Sequence, residues 1–262
     1  GENRYALLAR ACGARWIRAL AADHPAWKNL ACDELLAWPL QPTALPEIFA
    51  LLAGEGDVVF NAGDWPAPPV PEGFVPPLSP YAVLHLGAGN PLRYWTPAGW
   101  KVLADALAEQ NIRPVWSCGP GEQHLVFETD PSGTYQANFA GSLNLAGLWH
   151  LLTNAYLVVC LDSGAAHMAK LVGRPTVCIF GQGSDALFGT GRFFSDMPFI
   201  SLIDHDVPCR DQQQLFGREV EWVRRCARRF GECNDPVCIK SIQPASVIGA
   251  CRQVLENGKL AK

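Results

Sequence analysis

The stretch from Tyr156 to Gly181 limits the kind of sheet this chain can build. Five apolar residues, Leu157–Leu161, stop on Asp162 and a Ser163-Gly164 turn. A helix-length run from Ala165 to Val172 stops at Gly173-Arg174-Pro175, and a second largely apolar run, Thr176–Phe180, stops on Gly181. Continuous apolar runs read as strands covered on both faces, and two such strands joined through a helix lie parallel. In sheets of this kind ligands bind beyond the carboxyl ends of the strands. Asp162 and Gly181 fall on that edge. Ser163 and Gly164 open a helix whose unpaired N–H groups favour an anion.

The same pattern recurs upstream. Tyr81–Leu86 reads as a strand followed by the loop Gly87-Ala88-Gly89-Asn90-Pro91-Leu92-Arg93, and Thr96-Pro97 caps a helix running to about Glu109. Ile112–Ser117 is the next strand and ends at Cys118-Gly119-Pro120-Gly121-Glu122. Asn138–Gly141 is ambiguous, Leu145–Ala155 is helical, and a helix over Ala245–Glu256 closes the chain. Strand, glycine-bearing loop and helix thus alternate three times, which predicts a doubly wound α/β domain. Before it, Trp65–Pro80 holds seven prolines, too many for a helix or a central strand. This predicts a linker over 65–80 between a short N-terminal domain, 1–64, and a larger one, 81–262. Within the first, residues 3–22 look helical with Gly13 as a stop. Trp16–Leu20 continues that helix or begins a strand. Leu45–Leu52 reads as a helix and Asp57–Phe60 as a short strand before Gly63-Asp64.

Three loops carry chemistry. Gly87 and Gly89 let backbone approach a ligand closely, and Arg93 offers a fork to phosphate oxygens; a plain turn with a surface arginine has the same composition. Glu122 is placed to accept from ribose hydroxyls, or is a solvated loop carboxylate. Asp162 with His167 suggests acid–base work, although no Gly-x-Ser-x-Gly nucleophile accompanies them. A histidine early in a helix also serves structure alone. Convergence of Gly87/Arg93, Gly119/Glu122 and Asp162–His167 on one crevice points to a nucleotide or nucleotide-sugar site.

The segments His85-Leu-Gly-Ala-Gly, Arg93-Tyr-Trp95, Gly119-Pro-Gly-Glu122, Asp162-Ser-Gly-Ala-Ala-His167-Met-Ala and Ile179-Phe-Gly181 resemble the C-terminal half of the heptosyltransferase-like glycosyltransferases, family 9. The resemblance runs over about residues 81–255. It implies two Rossmann-like domains of the GT-B type, here with a reduced or incomplete N-terminal domain. It further implies an ADP-heptose-like donor, a lipopolysaccharide-type glycan or lipid-linked glycan acceptor, and transfer without a required cofactor. By that likeness Gly87, Ala88, Gly89, Asn90 and Arg93 would hold the diphosphate, with Gly119 and Glu122 at the nucleoside. Asp162, Ser163, Gly164 and His167 would hold the sugar and phosphates. Arg93 stands where the family often has lysine, which keeps the charge and changes the geometry. The family's presumed base, an Asp after an N-terminal strand and glycine, has its nearest local analogue in Asp64. Rival readings are a nucleotide-sugar epimerase or isomerase on the same architecture, and a non-catalytic nucleotide-sugar-binding subunit.

Of the ten cysteines, Cys209, Cys226, Cys233 and Cys238 cluster near the C-terminus, where the family often has a Cys-rich stretch. Four thiolates suit a structural zinc or iron site, but the compact Cys-x2-Cys is missing, and disulfides or reduced thiols fit equally. A formal net charge of -4 argues against a general nucleic-acid binder. No run of about 18 apolar residues appears, and no basic-then-apolar leader pattern opens the chain. The expectation is a cytoplasmic enzyme at the inner face of a membrane, with peripheral membrane contact through its acceptor.

Overall fold

A computed structural model describes residues 3–21, 26–56, 58–216 and 218–260. In chain order the elements are α1 (Asn3–Ala11), β1 (Arg18–Leu20), β2 (Glu34–Leu36), α2 (Leu45–Ala53), β3 (Tyr81–His85), α3 (Pro97–Glu109) and β4 (Arg113–Cys118). They continue with α4 (His124–Thr129), β5 (Asn138–Ala140), α5 (Leu145–Thr153), β6 (Leu157–Leu161), α6 (Gly164–Leu171), β7 (Thr176–Phe180) and α7 (Asp185–Phe188). The last are β8 (Phe199–Ile203), β9 (Gln214–Leu215), β10 (Arg218–Glu219), α8 (Val237–Lys240) and α9 (Pro244–Leu260). Trp16–Leu20 resolves as the approach to a strand, because α1 ends before Gly13, whose φ of 87° a side chain rarely adopts.

The chain divides into two units. One comprises Gly1–Val59, Ala186–Ser195 and Pro208–Ala227; the other comprises Phe60–Asp185, Asp196–Val207 and Arg228–Lys262. The boundary near residue 64 expected above therefore lies a few residues late, and the first unit also takes up two later pieces. The first unit is small. Its β1 and β2 pair in parallel, with Arg18 opposite Glu34 and their side chains joined at 2.7 Å. Ile48, Leu187, Leu215, Val220 and Val223 form its core. The Arg218 guanidinium donates to the carbonyls of Leu20 and Ala21, both at 2.6 Å, so a charged group satisfies backbone oxygens that β1 leaves open. The expected strand before Asp64 does not form: Val58–Phe60 join no sheet, and Asp57 lies outside the described residues.

The second unit holds a six-stranded, all-parallel sheet in the order β5-β4-β3-β6-β7-β8. The order reverses between β3 and β6, which makes their carboxyl ends the topological switch point. One face is packed by α3 and α9, where Trp100, Leu103 and Leu107 meet Leu84, Val159 and Val177. Trp95 is anchored there by its indole N–H to the Ile242 carbonyl at 2.9 Å. Tyr81 reaches from β3 to the Leu151 carbonyl of α5 at 2.8 Å. Thr96 caps α3 by accepting from the Gly99 N–H at 3.1 Å, and Asn144 caps α5 through Gly147 at 2.8 Å. The proline-rich stretch is not a free linker but belongs to this unit: Pro68 accepts from His150 Nε2 at 2.8 Å, and the Phe74 ring lies 6.2 Å from that of Phe139. Lacking N–H groups for pairing, its prolines leave it lying on the domain as a strap.

Candidate functional site

At the switch point the second unit opens a cleft of about 470 Å³, within the range usual for small-molecule sites. Its lining includes Gly87, Ala88, Gly89 and Arg93 after β3, Gly119 and Glu122 after β4, and Ser163, Gly164 and Ala165 after β6. His85 and Ser117 form its polar floor; Leu143, Leu145, Leu148 and Met168 form an apolar wall. Three loops distant in sequence are thus brought together.

Glu122 ties two of them. Its Oε1 accepts from the N–H of Ala88 at 3.1 Å, the N–H of Gly89 at 2.9 Å and the hydroxyl of Tyr94 at 2.9 Å, while Oε2 accepts from the Gly119 N–H at 3.0 Å. The carboxylate lies so close over β3's loop that a Cβ on Gly87 would sit 2.0 Å from Oε2. This explains glycine at position 87, and Gly89 needs it for its φ of 64°. Burial raises the Glu122 pKa, but the Gly89 N–H, the Tyr94 hydroxyl and the other N–H donors outweigh it and hold the group below the usual carboxylate range. In this state the N–H groups of Ala88 and Gly89 face Glu122. Asn90 does not line the cleft: its Oδ1 accepts from Leu92 N–H at 3.1 Å and its Nδ2 donates to Gln182 at 3.3 Å.

The groups best placed to meet an anion are Arg93 and the start of α6. Arg93 Nη1 donates to the Asp162 carbonyl at 2.9 Å and stands 3.8 Å from its Oδ2, whereas its Nε is buried without a partner. Ser163 precedes α6 in extended conformation, makes no side-chain cap bond, and keeps a buried Oγ without a partner. Two unpartnered polar atoms beside a helix N-terminus are what a bound phosphate would satisfy. Asp162 itself is 6% exposed and is not part of the lining. Its carboxylate is turned onto the β7 turn, where a Cβ on Gly183 would fall 2.0 Å from Oδ2. His167 is exposed and also lies outside the lining, as does Asp64, exposed on the short turn Ala62–Asp64.

His85, which opens the first of the family-like segments but was given no role, and Ser117 sit on adjacent strands with Nδ1 and Oγ 3.0 Å apart. Burial lowers the His85 pKa to about 4 against the opposing pull of Glu122, so the ring is neutral near pH 7. A lone polar residue ending an apolar strand was the available signal.

The expected gathering of Cys226, Cys233 and Cys238 with Cys209 is not found. Among the described residues no group of three or more His, Cys, Asp or Glu side chains could hold a metal ion, and none of the ten cysteines is in a disulfide.

The sequence profile of glycosyltransferase family 9 (heptosyltransferase) matches residues 72–217. Lipopolysaccharide heptosyltransferase 1 of Pseudomonas aeruginosa is 28% identical over 181 residues, 65% of this chain and 47% of that protein. The chain thus spans about half the length of this relative or less in the others it matches. Its fold is similar to that of the E. coli ADP-heptose lps heptosyltransferase II, with a TM-score of 0.65 at 16% identity, over 98% of this chain and 75% of that one. The E. coli heptosyltransferase WaaC with ADP gives a TM-score of 0.58 at 18% identity, over 76% and 62% of the two chains. The match over more than half of its length shows that the chain belongs to glycosyltransferase family 9, the heptosyltransferase family.

Proposed function

We propose that this chain binds the nucleoside diphosphate of a nucleotide-linked heptose, of the ADP-heptose class, in the switch-point cleft and transfers the sugar to a lipopolysaccharide-type glycan. The observation that carries the reading is that Arg93, with its buried unpartnered Nε, and Ser163, with its buried unpartnered Oγ at the N-terminus of α6, both line the cleft. The names of the related structures, which include ADP and ADP-heptose, agree with it. The diphosphate lies against Arg93 and the first N–H groups of α6, whose charge and dipole stabilise it as it leaves. Glu122, an ionised acceptor in the cleft, receives the ribose hydroxyls, and the apolar wall of Leu143, Leu145, Leu148 and Met168 covers the base.

In the transfer step an acceptor hydroxyl attacks the anomeric carbon, the bond to the diphosphate breaks, and its electron pair leaves with the phosphate. The hydroxyl proton goes to a carboxylate, for which Asp64 is the candidate, tested by Asp64→Asn. Asp162, turned onto Gly183, orders the loop that presents Arg93 and α6. Because such acceptors are lipid-linked, we place the enzyme at the inner face of a membrane. No described helix is long and apolar enough to cross one.

ADP is expected to raise the melting temperature, and Arg93→Ala to weaken ADP binding by roughly 10- to 100-fold, the 1.5–3 kcal/mol of a charge-assisted hydrogen bond. If no nucleoside diphosphate shifts the melting curve, the reading fails. Binding of ADP-heptose without turnover on any lipid-linked glycan would instead assign a non-catalytic sugar-nucleotide-binding role.

A further inference from the structure

Gln182 lies in the bend that follows β7 and is 5% exposed. Burying an amide is costly unless its polar ends are bonded. Here both ends are used: Nε2 donates to the Arg228 carbonyl at 2.9 Å, and Oε1 accepts from Asn90 Nδ2 at 3.3 Å. The direction of this chain is fixed by its ends. A carbonyl can only accept, so Arg228 takes Nε2, which leaves Oε1 to Asn90 and therefore claims its Nδ2. Asn90 Oδ1 is then directed to the Leu92 N–H, at 3.1 Å, and caps the short helical turn Pro91–Arg93. The Arg93 N–H closes that turn on the Asn90 carbonyl at 2.9 Å, and the Arg93 side chain leaves it to donate from Nη1 to the Asp162 carbonyl, also at 2.9 Å.

The same bend meets the far side of that contact. Asp162 Oδ2, which stands 3.8 Å from Arg93 Nη1, fills the space left by the missing side chain of Gly183. Glu122 fastens the start of the Arg93 loop through the Ala88 and Gly89 N–H groups, and Gln182 fastens it at Asn90. We propose that Gln182, which lies outside the cleft lining, is a positioning residue for Arg93: through Asn90 it sets the Pro91–Arg93 turn, and so the place from which the guanidinium meets an anion in the cleft. The proposal rests on the donor-site reading above.

Two variants cut the chain at different points. Gln182→Met fills the same space without the amide, and Asn90→Ser keeps an oxygen that can cap Leu92 but is too short to reach Gln182. In ligand-free protein at pH 6, the Arg93 Nε–H signal, identified by its loss in Arg93→Ala, is followed by NMR for exchange with water. Both variants are expected to speed that exchange at least tenfold. By calorimetry, each is expected to weaken ADP binding about tenfold, with the double variant no worse than either alone. Neither is expected to change the residual ADP affinity of Arg93→Ala, whereas a residue that only supports the fold would weaken it as much as in wild type. That last result, losses that multiply in the double variant, or an unchanged Arg93 signal would overturn the proposal. Faster exchange in the variants of a wild type that binds no ADP would overturn the donor-site reading and leave the hold of Gln182 on Arg93 standing.

Discussion

Glu122→Ala should lower the melting temperature by roughly 6–12 °C and remove ADP binding at concentrations that saturate the wild type. The carboxylate serves four donors from two loops, and alanine serves none. Hydrogen bonds to a charged group contribute about 1.5–3 kcal/mol each when counted singly, but water can reach the exposed Gly89 N–H, so the net loss is roughly 3 kcal/mol. Glu122→Gln should fall between, because its amide sets a donor against the Gly119 N–H. Gly87→Ala should reproduce the alanine phenotype from the other side, since its methyl would occupy the place of Oε2. Thermal melts of the three variants check the ranking; a Glu122→Ala protein as stable as wild type would return the residue to a solvated loop carboxylate. Because the folded-state pKa of Glu122 is depressed, its contribution is present above the unfolded carboxylate pKa and is lost in acid, as pH falls through the folded value.

The second large effect is a pH dependence with an unusual sign. Burial lowers the Lys170 pKa from 10.5 to about 8, with Cys178, Cys160 and Asp162 pulling upward. Between those values the unfolded chain binds the proton and the folded one does not, so stability rises with pH across the window. At about 1.4 kcal/mol per unit, the 2.5-unit gap corresponds to roughly 3 kcal/mol. Buried thiols oppose it at the alkaline end: burial raises Cys118 to about 11 and Cys251 to about 12, so unfolded thiols ionise first above pH 9. The difference between wild type and Lys170→Met cancels those shared contributions. Wild type should gain about 3 kcal/mol on the variant from pH 7.5 to 10.5, measured by urea denaturation. A constant difference over that range would show that Lys170 ionises in the core as it does in water.

How much of this could be read from the sequence follows from where each signal is local. β6 and β7 end where their apolar runs end, because strands buried on both faces need no alternation. β8 escaped notice: every residue from Phe199 to Ile203 is half-buried, and Ser201 interrupts the run. The first unit was illegible for another reason, since its later pieces, 186–195 and 208–227, return from beyond the second unit's sheet strands β3–β7. In the site, Arg93, Glu122 and Ser163 stood out because glycines flank loops at strand ends. What Glu122 touches did not, because its donors lie 3 to 34 residues away. Lys170 was hidden by its own position, where a lysine in the last turn of a helix usually faces solvent near the carbonyl end. The cysteine cluster failed because closeness in sequence does not by itself gather side chains into a ligand set, and among the described residues no metal-holding group forms.

The most direct test of the account is a crystal structure of the chain with ADP. The diphosphate should lie within hydrogen-bond distance of Arg93 Nε, Ser163 Oγ and the first N–H groups of α6, with the ribose against Glu122 and the adenine on the Leu143–Leu148 wall. Density for ADP elsewhere on the protein, with Arg93 Nε and Ser163 Oγ still unpartnered, would contradict it.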